Sequence, residues 1–107
     1  VYINGQGGDD YYLLKIKFDG DECDWELFRK DSSKKSGSCD TESNGPRNDN
    51  KLAIEHLNNT IRVYMNDTLL GTYTDGSPLS GEGTGLYIYA DDDDEVTIRF
   101  DNFLVYN

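Results

Sequence analysis

The stretch TIRVYMNDTLLGTYT, residues 60 to 74, is the part of the sequence that best predicts the fold. Apolar side chains alternate with Arg62 and Tyr64 in its first half, and a period of two is typical of a strand with one buried face. The Asn66-Asp67 pair that follows can adopt the positive φ angles of a tight hairpin turn. We therefore predict two strands joined by a hairpin at Asn66-Asp67.

The same signal recurs along the chain as short runs of β-branched and aromatic residues ended by Gly, Asp, Asn or Ser. No stretch predicts a helix, so the 107 residues are expected to form a single all-β domain, residues 1–107. A second turn at Asn58-Asn59 would make residues 51 to 74 a three-stranded meander, and Val1 to Asn4 also has the pattern of a strand. The predicted strands are Tyr11 to Phe18, Asp24 to Lys30, Lys51 to Leu57, Thr60 to Met65, Thr68 to Thr74, Thr84 to Ala90 and Glu95 to Tyr106.

The segment 31–50 is polar, and its one apolar residue is Cys39. Such a composition predicts a long polar loop. Cys39 and the only other cysteine, Cys23, are predicted to form a disulfide, which would stabilise the fold by about 3 kcal/mol in the chain-entropy model. A disulfide requires an oxidising compartment, so an extracellular, secreted or cell-surface location is expected.

Two acceptor patterns for N-glycosylation fall in the predicted turns, at Asn58 and at Asn66. Both agree with a secreted protein. Short patterns of this kind also arise by chance, and in a bacterial protein they would carry no meaning.

The charge of the chain restricts its partners. With 21 acidic and 10 basic residues the formal net charge is −11, which repels nucleic acid and anionic membranes. No apolar run approaches the ~20 residues that cross a bilayer, so membrane insertion is not expected. Neutral glycans, divalent cations and other copies of the chain remain as candidate partners.

Four segments resemble concanavalin A-like domains of the laminin-G-like and glucanase-like kind. These are Asp10 to Leu14, Asn59 to Asp75, Gly83 to Ala90 (G-x-G-L-Y) and Val96 to Phe103 (V-x-F-D-N-F). The resemblance implies an antiparallel β-sandwich of the jelly-roll type that lacks its N-terminal strands. We expect those strands to come from a longer precursor or from a neighbouring subunit. Many such domains bind sugars, so the resemblance also implies carbohydrate binding.

Catalysis is not expected. Glycoside hydrolases of this fold carry the pattern Glu-x-Asp-x-x-Glu, which places alternate carboxylates on one strand face. The nearest segment, Asp21 to Glu26, has a different spacing and includes a cysteine. His56 is the only histidine, and its alternating strand suggests a structural role.

The acidic run before the last predicted strand has two interpretations. Its carboxylates could hold a calcium ion, with Asp75 or Asp101 completing the shell, because calcium takes six to eight oxygen ligands. Alternatively, the run is a solvated connection whose like charges keep a turn soluble. The candidate calcium ligands are Asp91, Asp92, Asp93, Asp94 and Asp101.

Aromatic residues are numerous, with eight Tyr, four Phe and one Trp. In a sandwich most of them fill the core, and this is expected for Trp25, Phe28, Phe100 and Phe103. The candidates for stacking on sugar rings are Tyr64, Tyr73, Tyr87 and Tyr89. The sequence thus predicts a non-catalytic carbohydrate-binding or adhesive module; the alternative is a structural subunit of an extracellular filament or surface layer, joined through edge strands.

Overall fold

The computed structural model describes residues 2–5, 10–19, 22–39, 50–81 and 83–85. These residues form eight strands and, within these ranges, no helix, so none of them builds a helix that could span a membrane. The strands are β1 (Tyr2–Gly5), β2 (Tyr12–Asp19), β3 (Glu22–Arg29), β4 (Ser32–Ser38), β5 (Leu52–Leu57), β6 (Thr60–Met65), β7 (Thr68–Thr74) and β8 (Gly83–Gly85).

The strands form two antiparallel sheets. Sheet A has the order β4-β3-β2-β1-β8, and sheet B has the order β5-β6-β7. Apolar side chains from both sheets meet in one core: Tyr12, Leu14, Trp25 and Leu27 from sheet A, and Ile61 and Val63 from sheet B. The predicted all-β class is therefore confirmed, and the two packed sheets are consistent with a β-sandwich. The jelly-roll topology stays a prediction.

The meander of sheet B follows the sequence closely. Strands β6 and β7 have the predicted bounds, and β6 buries every second residue as the alternation indicated. The turn between them places Asn66 at φ 51° and Asp67 at φ 67°, the left-handed region in which Asn and Asp cost least. The backbone of Asn66 bonds to Lys51, which ties the turn to the start of β5.

The prediction of a structureless loop over residues 31–50 is wrong for its first part. Residues 32–38 form β4, which pairs antiparallel with β3. This strand has no apolar residue and is almost fully exposed, so hydrophobic alternation gave no signal for it. Its partner strand and the tight turn at Lys30, with φ 56°, position it instead. Residues 40–49 lie outside the described residues, as do the predicted strand Glu95 to Tyr106 and residues 86–90 of the strand predicted before it.

Two glycines accommodate the indole of Trp25, which is only 5 % exposed. Gly37 is its register partner in β4, and Gly71 approaches it from β7 in the opposite sheet. A Cβ atom on Gly71 would lie 2.4 Å from Cη2 of Trp25, and one on Gly37 would lie 2.8 Å from Nε1. The indole therefore fits only because both positions lack a side chain, and the close approach of β7 to sheet A depends on Gly71.

Phe28 corrects another expectation. Trp25 is in the core as predicted, but Phe28 pairs with Leu13 on the opposite, outer face of sheet A and is half-buried there. The reason is strand parity: Trp25 and Leu27 point inwards, so Phe28 must point outwards. Phe100 and Phe103 lie outside the described residues.

Candidate functional site

The two tyrosines of sheet B that were predicted to stack on sugars lie on opposite faces. Tyr73 pairs with Ile61 and packs against the core, so it is not part of an outer surface. Tyr64 is half-buried on the outer face between Ala53 and Leu69. The other two candidates, Tyr87 and Tyr89, lie outside the described residues.

The predicted calcium ligands Asp91, Asp92, Asp93, Asp94 and Asp101 also lie outside the described residues. In the part of the chain that the structure describes, no group of three or more His, Cys, Asp or Glu side chains could hold a metal ion. Asp75, considered as an additional ligand, is instead buried at 4 % exposure and bonded within the protein.

A buried polar network forms around Asp75, just after β7. Oδ2 of Asp75 accepts hydrogen bonds from the hydroxyl of Tyr12 and from Nη1 of Arg29, both at 2.7 Å. Oδ1 accepts a bond from the backbone N–H of Ser77 at 2.9 Å, and the backbone N–H of Leu79 donates to the Tyr12 hydroxyl at 3.1 Å. The network connects β2 and β3 of sheet A to the segment that follows sheet B, so it holds the two sheets together.

The network shifts two pKa values in opposite directions. Burial, reinforced by the hydrogen bond to Asp75, raises the pKa of Tyr12 to about 12. Burial alone would raise the pKa of Asp75, but the bonds from Tyr12 and Ser77 and the charge of Arg29 together lower it below its usual value. Both groups therefore keep their ordinary charge states at neutral pH, which indicates a structural role for the network.

His56 contributes to the same region. Its ring meets the ring of Tyr12 edge-on, with centroids 5.5 Å apart and planes at 72°, and Nε2 lies 2.6 Å from the carbonyl oxygen of Asn58. These contacts are structural, as its position in the strand suggested.

An open groove of about 380 Å³ crosses the outer face of sheet A. The strand register places Glu26 between Lys15 of β2 and Ser36 of β4, and it places Lys17 beside Asp24. Trp25 and Gly37 also line the groove. Because the indole of Trp25 points into the core and Gly37 has no side chain, these two residues contribute mainly main-chain atoms to the lining.

The groove was not identified from the sequence, although it has a recognisable signal. Lys15 and Lys17 alternate along β2, and Asp24 and Glu26 alternate along β3. Charged residues at i and i+2 lie on one strand face, so the two pairs had to share a surface once the strands were paired. The two positive and two negative charges balance locally, whereas the whole chain carries −11.

The predicted disulfide between Cys23 and Cys39 is confirmed. Cys23 is buried in β3, and Cys39 directly follows β4, where its backbone N–H bonds to the carbonyl of Cys23 at 2.8 Å. The next register pairs are Asp24 with Ser38 and Trp25 with Gly37. The disulfide thus fixes the end of β4 beside the groove, and it is compatible with an extracellular location.

The two glycosylation patterns occupy different environments. Asn58 is exposed at the tip of the β5–β6 turn with φ 56°. Asn66 is half-buried, and its side chain accepts a bond from the Lys51 N–H at 2.8 Å and donates one to Asn50 at 3.0 Å. The amide of Asn66 therefore already stabilises its own turn.

Comparison of the chain with protein-family models, with curated proteins and with solved structures found no match.

Proposed function

We propose that the chain is a non-catalytic extracellular binding module that recognises a neutral glycan through the groove on sheet A. The groove itself is the observation that carries this proposal. Lysine side chains donate hydrogen bonds, carboxylates accept them, and the Ser36 hydroxyl does both, so the walls match the hydroxyl groups of a sugar. Their charges sum to zero, which suits an uncharged ligand better than an ionic one.

The outer face of sheet B is a weaker candidate for the same ligand. Tyr64 offers a ring there, with Leu69 as a cross-strand neighbour, and the nearby Arg62 donates to Glu55 at 3.0 Å. This ion pair is exposed, and both of its side chains are open to solvent. Tyr64 therefore serves as the comparison position in the experiment.

The test is electrophoresis of the native protein through gels that contain single neutral polysaccharides, for example galactomannan, xyloglucan or laminarin. Loss of both charges in the double variant Lys17→Ala/Asp24→Ala leaves the net charge unchanged. The variant should therefore migrate like the wild type in a gel without polysaccharide, and this mobility is the reference for each protein. We expect wild type and Tyr64→Ala to be retarded by the same polysaccharide and the double variant to run freely.

Retardation that is lost in Tyr64→Ala and kept in the double variant would move the site to sheet B. Absence of retardation in every polysaccharide of the panel would refute glycan binding at the groove. Lys17 and Asp24 are exposed and carry no core packing, so we expect the double variant to keep its fold. Thermal unfolding of each variant checks this.

One observation favours the second candidate, a subunit that assembles through strand edges. Among the described strands β5 lies at an edge of sheet B, and Leu57 at its end is 59 % exposed. An edge with an exposed apolar side chain favours pairing with another chain. Light scattering and electron microscopy of the native protein distinguish the two functions. Fibres that the wild type forms and Leu57→Lys does not would support assembly, and a monomeric wild type would refute it.

A further inference from the structure

Phe28 is an aromatic residue outside the core and next to the groove. It pairs with Leu13 on β2 and with Ser33 on β4, on the outer face of sheet A. It is half-buried and does not belong to the residues that pack against the core. Two positions along the same strand and on the same face lies Glu26, a wall of the groove, about 7 Å away by strand geometry.

The carboxylate of Glu26 is oriented by a hydrogen bond at the exposed surface. The hydroxyl of Ser33 donates to its Oε2 at 2.5 Å. Among the described residues the structure records no partner for its other oxygen, Oε1. Ser33 is the register partner of Phe28, so this bond holds the carboxylate between the ring and the groove.

We infer that Phe28 and Glu26 form a second sugar position of the groove, so that the ligand is an oligosaccharide or polysaccharide that runs along β3. This inference rests on the proposed function. One sugar ring stacks on the face of Phe28, the next lies in the groove beside Lys15 and Lys17, and Glu26 accepts hydrogen bonds from hydroxyl groups between the two rings. An aromatic ring beside a few oriented polar groups is the usual composition of a small-ligand site.

The experiment measures retardation by the polysaccharide that retains the wild type best. Phe28→Leu keeps an apolar side chain but removes the ring, whereas Phe28→Trp keeps an aromatic surface. We expect Phe28→Leu to weaken binding about 10-fold and Phe28→Trp to bind within about 3-fold of wild type, since a ring contact contributes beyond its buried area. Ser33→Ala, which frees Glu26, should weaken binding by a smaller factor of about 3.

The outcomes separate this inference from the proposed function. If no polysaccharide retards the wild type, the proposed function fails, and the second sugar position fails with it. If the wild type is retarded and Lys17→Ala/Asp24→Ala is not, but Phe28→Leu binds as well as wild type, the groove stands and the second position is overturned. Equal weakening by Phe28→Leu and Phe28→Trp would also overturn it, because the loss of binding would then not depend on an aromatic side chain at position 28.

Discussion

The hydroxyl of Tyr12 in sheet A donates a hydrogen bond to Asp75 at 2.7 Å, across 63 residues of sequence. Asp75 follows the last strand of sheet B and also accepts a bond from Arg29. Both Tyr12 and Asp75 are buried, and buried side-chain polar atoms in the described part of the chain all have partners. This network therefore contributes to how the two sheets are joined, in addition to apolar packing.

Removal of the Tyr12 hydroxyl tests that contribution. We expect Tyr12→Phe to lower the free energy of unfolding by about 1.5–3 kcal/mol, the range for a hydrogen bond to a charged group. Asp75→Asn should cost more, about 3–5 kcal/mol, because it leaves the partly buried Arg29 without its counter-charge. Urea unfolding followed by tryptophan fluorescence measures both values.

The exposed ion pair between Lys51 and Asp67 supplies the matched control. Both side chains are mostly solvated, and Asn tolerates the positive φ of position 67 as well as Asp does. Asp67→Asn should therefore change stability by less than about 0.5 kcal/mol. Equal effects of Asp67→Asn and Asp75→Asn would contradict a special role of the buried network.

The raised pKa of Tyr12 predicts a loss of stability at high pH. In the unfolded chain the phenol titrates near its ordinary pKa of 10.0, whereas in the folded protein its pKa is about 12. The stabilisation is present below pH 10 and is lost as the pH rises towards 12, a difference of about 2–3 kcal/mol. Urea titrations at intervals from pH 9 to 12 measure it.

The depressed pKa of Asp75 acts at the other end of the pH range. Its stabilisation is present above the pKa of the unfolded carboxyl, ~3.9, and is lost as the pH falls through the lower folded value.

Tyr12→Phe serves as the control for the loss of stability at high pH, because the difference between wild type and this variant should shrink from pH 10 to 12. A constant difference over that window would show that other groups cause the alkaline loss.

Gly71 is predicted to be essential for the packing of Trp25. An added Cβ would lie 2.4 Å from Cη2 of the indole, so Gly71→Ala must displace the ring or separate the sheets. We expect a loss of about 1–3 kcal/mol, as for other overpacked cores. Gly76→Ala is the control, since a Cβ there meets no atom within 4 Å, and its stability should be unchanged or higher by about 0.4–1 kcal/mol.

A double variant separates a clash with the indole from a backbone effect. If contact with Trp25 causes the loss, Trp25→Leu should remove most of the cost of Gly71→Ala, so the two changes would not be additive. Additive losses in Trp25→Leu/Gly71→Ala would place the cost of Gly71→Ala in the backbone instead.

The sequence predicted those parts of the fold whose signal is local. The β6–β7 hairpin was predicted to the residue because its apolar alternation and its Asn-Asp turn lie side by side in the chain. Strand β4 was missed because its pairing is encoded in β3 and not in its own polar residues. The pairing of Arg29 with Asp75 and the contact of Trp25 with Gly71 each join residues 46 apart, and no pattern in a single sequence reports such pairs.

The candidate site, too, could be predicted from the sequence only in part. The disulfide was predicted because both cysteines lie in a polar stretch of sequence, where free buried thiols are not expected, and it is confirmed. The groove needs the register of β2, β3 and β4 before Lys15, Glu26 and Ser36 come to lie in one row, so it was recognised only in the structure. Tyr73 was assigned to a binding surface although its register partner is Ile61, a core residue.

The disulfide is predicted to hold β4 in place. This strand is polar and exposed, so it contributes little apolar burial of its own, and its end is fixed by Cys39. The double variant Cys23→Ser/Cys39→Ser should unfold at lower urea, with a loss of about 3 kcal/mol. Because Gly37 and Ser36 line the groove, fraying of β4 should also weaken polysaccharide retardation in conditions where the rest of the protein is folded.

Reduction of the wild-type protein provides the control without mutation. A reducing agent should lower both stability and retardation of the wild type to the level of the double variant and should leave the double variant unchanged. Mass spectrometry after alkylation verifies that both thiols have been released. If the reduced protein keeps its affinity for the polysaccharide while its stability falls, β4 is held by its pairing with β3 alone, and the disulfide does not support the groove.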